Sequence, residues 1–432
     1  MKMANMDDYF DVVIVGTGAA GLYCALNLPA RYRILLLTKQ KADESDSFLA
    51  QGGICMQHGE ADYRPFFDDT MRAGHYENNP ATVDLMIRSS NSIIRDLVRR
   101  GVRFARDDHG ALRFTREGAH SRPRILFHED ITGHEITQTL LNEVLRCENI
   151  ELREHTTLLD FFADASACGG VIAAGPDGEP RAIGAGAVVL ACGGIGGLYK
   201  NSTNFPHITG DAIAMALRHG VACEHLDYIQ IHPTTLYSHR KGRRFLISES
   251  VRGEGALLLD KNGNRFTNEL QPRDVVSAAI RAQMEKDSTD HVWEDMRPIG
   301  EAAIREHFPN ILERCEEEGY DPIREPIPVV PAQHYFMGGI TADLSSRTAL
   351  PRLYACGETC CNGVHGRNRL ASNSLLESLV FAQRAADDIL YGEPPVFTGD
   401  KPDLAPYREQ EPLFAAYRQE VLTAIERSKN HE

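Results

Sequence analysis

Near the start of the chain, Gly16-Thr17-Gly18-Ala19-Ala20-Gly21 has the G-x-G-x-x-G spacing that lets backbone N–H groups close on a pyrophosphate. The first glycine permits a tight turn, the second lets the main chain approach the phosphates, and the third lets a helix pack closely on the preceding strand. The flanks supply both elements. Tyr9 to Val15 reads as a buried parallel strand, and Leu22 to Leu28 as an apolar helix whose N-terminal dipole and free N–H groups would face the phosphates. Arg33 to Leu37 predicts a second strand running into Thr38-Lys39, where an NAD site would place an acidic residue on the ribose. A plain NAD enzyme is therefore disfavoured. Two later strands also end in glycine, Gly186 to Gly194 and Leu353-Tyr354-Ala355-Cys356-Gly357-Glu358, which suits a long dinucleotide held by a discontinuous domain.

The elements that position this turn belong to an ordinary globular protein: 432 residues, 42% hydrophobic and 25% charged, enough for two domains. The formal charge of −15 argues against nucleic acid or an anionic membrane as partner. An anionic substrate would have to meet locally clustered arginines. Met1 to Phe10 carries Lys2 as its one basic residue and no apolar run, so no signal peptide or membrane span is expected, and a cytoplasmic location is. The ten cysteines lack C-x-x-C pairing, and Cys356, Cys360 and Cys361 have no fourth ligand nearby, so all are expected to be reduced thiols packed as small hydrophobes. No His or carboxylate pair stands at ligand spacing, so no metal site is expected.

Further motifs carry a specific resemblance. Gly357-Glu358 looks like the ribityl-binding segment of two-dinucleotide-binding flavoproteins. Ser47-Phe48-Leu49-Ala50-Gln51-Gly52-Gly53 is similar to the A-Q-G-G loop over the flavin in the succinate dehydrogenase, fumarate reductase and L-aspartate oxidase superfamily. His232-Pro233-Thr234, Arg252-Gly253-Glu254-Gly255 and Asn368-Arg369-Leu370-Ala371-Ser372-Asn373-Ser374-Leu375 follow in that superfamily's order. The resemblance implies an α/β fold, a Rossmann-like FAD-binding domain (1–225 and 337–390) interrupted by an α+β capping domain (226–336), with a short helical tail (391–432) where relatives have a longer helical domain. It assigns FAD to Gly16, Thr17, Gly18, Ala19, Ala20, Gly21, Lys39, Ser47, Ala50, Gln51, Gly52, Gly53, Asp211, Glu358, Ser374 and Leu375. For Asp211, which opens a helical stretch, a structural N-cap is the alternative. Asp46 stands where membrane-complex relatives attach FAD through histidine, so FAD is expected to be bound noncovalently.

Thr115-Arg116-Glu117-Gly118-Ala119-His120-Ser121 resembles the segment of the L-aspartate oxidase branch whose glutamate faces the substrate amino group. Read alone, Glu117 is a solvated loop carboxylate; read with the family, it selects an amine over succinate. The branch implies oxidation of L-aspartate to iminoaspartate, hydride passing from Cα to flavin N5, with the flavin reoxidised by oxygen, giving hydrogen peroxide, or by fumarate, giving succinate. That is the first step of NAD biosynthesis through quinolinate, and it implies coupling to quinolinate synthase. His232, Ser248, His334 and Arg369 are the implied carboxylate clamps, Ser248 replacing a common threonine and Arg369 offering a planar fork. Arg273 matches an arginine given a proton-transfer role; a guanidinium is a poor base, so electrostatic stabilisation is the alternative. Arg367 adds a charge beside the clamp where relatives carry a small residue. The rival readings are a soluble fumarate reductase, which would not react with L-aspartate, and a flavin-binding electron-transfer or regulatory partner with no substrate of its own.

Overall fold

The computed structural model describes residues 8–240 and 242–429. Residues 1–7, most of the N-terminal stretch considered above, lie outside the described residues. Tyr9–Val15 forms a strand at the expected place, and Ile34–Leu37 lies parallel to it with Val12 opposite Ile34. All four residues of Ile34–Leu37 are buried, as a parallel strand covered on both faces requires. The sheet has seven strands, in the order Ile150–Arg153, Ile34–Leu37, Tyr9–Val15, Pro180–Leu190, Cys168–Ala174, Thr157–Ala163, with Leu353–Ala355 paired to the end of Pro180–Leu190.

Alternation along Tyr9–Val15 divides the core in two. Val12 and Ile14 pack with the helices Ala19–Asn27 and Asn373–Tyr391, while Val13 and Val15 pack on the other face with Asp211–Arg218. The second face is completed by the helix Gln410–Lys429, which buries Tyr417, Val421 and Ile425 there. The helical tail expected after residue 390 thus contains a 20-residue helix that covers the sheet.

Residues 229–336 build a separate four-stranded antiparallel sheet, ordered Ile229–Leu236, Ile327–Phe336, Val292–Asp295, Leu257–Leu259. It has its own core, in which Ile247, Val251, Val276, Ile280 and Ile311 pack against Val292 and Val329. The helices Arg273–Asp287 and Pro309–Glu317 cover it.

Helix Ala19–Asn27 sits so close to its strand that a Cβ on Gly21 would lie 1.9 Å from the Gly16 carbonyl oxygen. Gly16 itself has φ +115, and a Cβ there would lie 2.0 Å from the Ala191 oxygen. Gly21→Ala is therefore expected to cost about 1 to 3 kcal/mol through overpacking and to loosen the whole turn. Thermal unfolding and flavin content of the purified variant check this; an unchanged melting temperature and full flavin content would contradict it.

Among the described residues no helix is long and apolar enough to cross a membrane, and no group of His, Cys, Asp and Glu is placed to hold a metal. All ten cysteines are unpaired thiols.

Candidate active site

One long cavity, about 1720 Å³ of atom-free space partly open to solvent, runs from the Gly16–Gly18 turn to the junction between the large sheet and the 229–336 insert. At the first end its walls are Gly16, Thr17, Gly18, Ala20, Lys39, Ser47 and Asp211. The Ala19 amide, at the N-terminus of its helix, donates to Ser47 Oγ at 3.0 Å, tying the 46–49 turn to the helix. Lys39 Nζ lies 2.7 Å from Asp211 Oδ2, and Thr209 Oγ1 donates to Asp211 Oδ1 at 2.7 Å. The N-cap of the following helix is Gly210, which corrects the N-cap alternative for Asp211: its carboxylate is engaged by Lys39 and Thr209.

Two residues of the expected cofactor set do not line the cavity. Ala19 is fully buried behind it, and Gly21 faces the Gly16 carbonyl; both act through packing of the turn. The other fourteen, including Ala50, Gln51, Gly52, Gly53, Glu358, Ser374 and Leu375, are on its walls. Gln51 Oε1 and Asp46 Oδ2 are buried there without a hydrogen-bond partner among the described residues. Burial pushes the Asp46 carboxyl up to about 7 and the Glu358 carboxyl up to about 8. A strand-turn-helix at one end, close glycine backbone and unpartnered polar groups farther along fit a bound FAD.

At the far end all six residues expected to act on substrate, Glu117, His232, Ser248, Arg273, His334 and Arg369, meet on the same cavity. His232 projects from the edge strand Ile229–Leu236 of the small sheet and His334 from its neighbour Ile327–Phe336, ring centroids 5.2 Å apart. His232 Nδ1 lies 2.9 Å from the Thr234 carbonyl and 3.2 Å from the Thr234 nitrogen; with Nδ1 accepting from that N–H the ring proton sits on Nε2, which is buried without a partner among the described residues. His334 Nδ1 lies 2.8 Å from Thr203 Oγ1. Burial, reinforced by Arg273 and further neighbouring positive charge, holds both imidazoles well below their usual pKa, so both are neutral near pH 7.

Arg273 opens the helix Arg273–Asp287 and donates from Nε to Glu249 Oε2 at 2.5 Å and from Nη1 to Gln230 Oε1 at 3.0 Å. Arg369 donates from Nε to the same Gln230 oxygen at 3.3 Å and from Nη1 to Ser374 Oγ, with Cζ 4.5 Å above the Tyr335 ring. Burial and then Arg273 lower the Arg369 pKa to about 10, which leaves its charge intact at neutral pH.

Glu117 is 4% exposed, which overturns the reading of a solvated loop carboxylate. Its oxygens accept from Ser372 Oγ at 2.7 Å and Ser250 Oγ at 3.1 Å. A Cβ on Gly52 would lie 2.3 Å from Glu117 Oε1, so the glycine of the 50–53 loop is what admits the carboxylate. Burial and then the charge of Glu249 raise the proton affinity of Glu117. Behind it His120 accepts from Arg124 Nη1 at Nδ1 (2.8 Å), and its Nε2 lies 3.0 Å from the Ala371 carbonyl. Arg124 is fully buried between Asp62 and Asp69. Burial and Arg124 lower the His120 pKa to about 4, which keeps it neutral in this network.

Arg367, expected beside the clamp, is not on the cavity wall: its side chain is 49% exposed, near Glu77 and over the Tyr228 ring. The sequence reading missed Gln230, Glu249 and Thr203. Strand alternation was a usable signal for Gln230, which shares a face with His232. Glu249 directly follows Ser248, but its partner lies far along the chain, and Thr203 carries no local pattern at all.

With this geometry in hand, similarity to known proteins is informative. Residues 11–375 match the family described as FAD binding domain. L-aspartate oxidase of Clostridium perfringens is 48% identical over 88% of this chain and 86% of its own length. L-aspartate oxidase of Nostoc is 44% identical over 98% of this chain and 76% of its own. Among solved structures, E. coli quinol fumarate reductase superposes with a TM-score of 0.83 at 31% identity, covering 95% of this chain and 74% of that one. The α/β fold class read from the sequence stands, and so does FAD as the cofactor.

Proposed function

The chain belongs to the L-aspartate oxidase family, and from that premise we propose how its own residues oxidise L-aspartate to iminoaspartate, the first step of NAD biosynthesis. It is an FAD-dependent oxidoreductase. FAD, when bound along the cavity, supplies the hydride acceptor; positioning and charge control fall to the side chains. The flavin unit is assigned to 1–225 and 337–390, the cap to 226–336 and the tail to 391–432.

The observation that carries the reading is a buried carboxylate, Glu117, on the same cavity wall as Arg273 and Arg369. Arginines and neutral, donor-capable histidines suit the two carboxylates of a dicarboxylic acid, and Arg369 can pair with one of them bidentately. His232, with its free Nε2, and Ser248 take the other. An extra buried anion gains nothing from succinate but attracts the ammonium of an amino acid, so Glu117 orients the amine and takes up its proton. Arg273, held by Glu249, stabilises and orients rather than acting as a base.

Oxygen or fumarate accepts the electrons, and the product passes to quinolinate synthase in the cytoplasm. Anaerobic incubation with L-aspartate and fumarate is expected to yield succinate in step with the loss of L-aspartate. Succinate formation only with an added reducing dye, with L-aspartate intact, would move the protein to the fumarate reductase reading.

A further inference from the structure

The insert carries Ser248, Glu249 and Arg273, whereas Glu117 and the 50–53 loop belong to the part built on the large sheet. Their register therefore depends on what joins the two. The helix Pro309–Glu317 has Phe308 at its N-cap, a residue with no acceptor, so its first turn lacks a local cap. The acceptor comes from across the junction. Asp130 Oδ1 takes Asn310 Nδ2 at 2.5 Å and Asp130 Oδ2 takes the Ile311 N–H at 3.0 Å.

Asp130 is 2% exposed, and its loop is itself anchored to the cavity wall. Thr132 Oγ1 donates to the Gly52 carbonyl at 2.9 Å, and the Gly133 N–H to the Ala50 carbonyl at 2.8 Å. A smaller cavity, about 520 Å³ of atom-free space partly open to solvent, lies beside this junction. Ser248, Glu254, His307 and Phe308 wall it on one side and Arg113, Phe127 and Asp130 on the other, and it shares Gln51, Gly52 and Ser248 with the main cavity. The two parts are thus not packed solidly here, and Asp130 spans the gap.

We propose that Asp130 is a positioning residue for the oxidation: by gripping the first turn of Pro309–Glu317 it holds Ser248, Glu249 and Arg273 in register with Glu117 and the 50–53 loop. It touches neither substrate nor flavin. Its loss is felt by any dicarboxylate that needs both walls, while the dinucleotide end of the cavity is left as it was.

The test uses the FAD-loaded protein and the variants Asp130→Ala, Asp130→Asn and Asn310→Ala, with L-aspartate oxidation, dye-driven fumarate reduction and FAD affinity measured for each. The choice of L-aspartate rests on the function proposed above, and the fumarate arm separates the two ideas: a parent protein inert to L-aspartate sinks that function but still tests the grip. For Asp130→Ala, kcat/KM is expected to fall about 30-fold for both reactions, with FAD affinity within about threefold, the loss anticipated for hydrogen bonds to a buried charge. Asp130→Asn, which keeps an acceptor for the Ile311 N–H, is expected to lose less. Asn310→Ala is expected to cost about threefold in the parent and nothing further in the Asp130→Ala background, because the two act through one contact. Turnover within about twofold of the parent, or FAD affinity falling by the same factor as kcat/KM, overturns the proposal. If Asp130→Ala does not fold, an unaltered kcat/KM in Asn310→Ala overturns it alone.

Discussion

Arg369→Leu is expected to leave a protein whose bound flavin L-aspartate reduces about a thousandfold less efficiently, because a buried guanidinium fork is lost from a carboxylate that has no water to turn to. Arg369 is 5% exposed and held flat over Tyr335 by Gln230 and Ser374, so its fork is oriented before substrate arrives. Arg369→Lys keeps the charge but loses the planar pair, and about a tenth of the lost efficiency is expected to return. Stopped-flow reduction rates, normalised to bound flavin, measure both. Loss confined to KM with kcat intact would mean that the arginine binds substrate and transition state equally. No loss at all would remove Arg369 from the site.

The second large effect concerns choice of substrate. Glu117→Gln keeps the shape and the hydrogen bonds to Ser250 and Ser372 within reach, but removes the anion. Aspartate oxidation is expected to fall about a hundredfold while fumarate, a dianion, binds several-fold better, an exchange of one repulsion for one lost attraction. Kinetics of both substrates on the one variant give the ratio directly; an unchanged ratio would return Glu117 to a structural role.

The pH dependence follows with the same sign. Burial first and Glu249 second raise the proton affinity of Glu117, while Arg273, Ser372 and Ser250 oppose the rise. The useful anion is therefore lost as pH falls through a value above the ordinary carboxylate range. Aspartate turnover in the parent is expected to decline on that acidic side, and the decline is expected to be absent from Glu117→Gln. Fumarate reduction, which does not need the anion, would keep its rate there.

What the sequence disclosed, and what it hid, follows from the range of each interaction. The Tyr9–Val15 strand and the glycine turn are set by neighbours in the chain and were legible, although the helix begins at Ala19, three residues before the Leu22 read from the sequence. Continuous apolar runs gave the parallel strands for the same reason. The family motifs led to six positions that line one cavity end, yet they are silent on how each is held. The links from Arg273 to Glu249 and Gln230, from His334 to Thr203, and from Asp130 to the first turn of Pro309–Glu317 join residues from separate elements. No local periodicity encodes such pairs. Burial was equally hidden: Glu117 sits in a polar, glycine-containing loop, and its enclosure depends on Gly52 leaving room above it. Arg367 shows the converse, since a residue two positions before Arg369 points its charge to Glu77 and Tyr228 instead.

The central claim, that this cavity oxidises an amino dicarboxylate, is tested most directly by mixing the FAD-loaded protein anaerobically with L-aspartate and following flavin absorbance, beside D-aspartate, L-glutamate and succinate. Bleaching by L-aspartate, with the other three inert, is the predicted result. Bleaching by succinate, or by none of the four while chemically reduced protein still reduces fumarate, would contradict it.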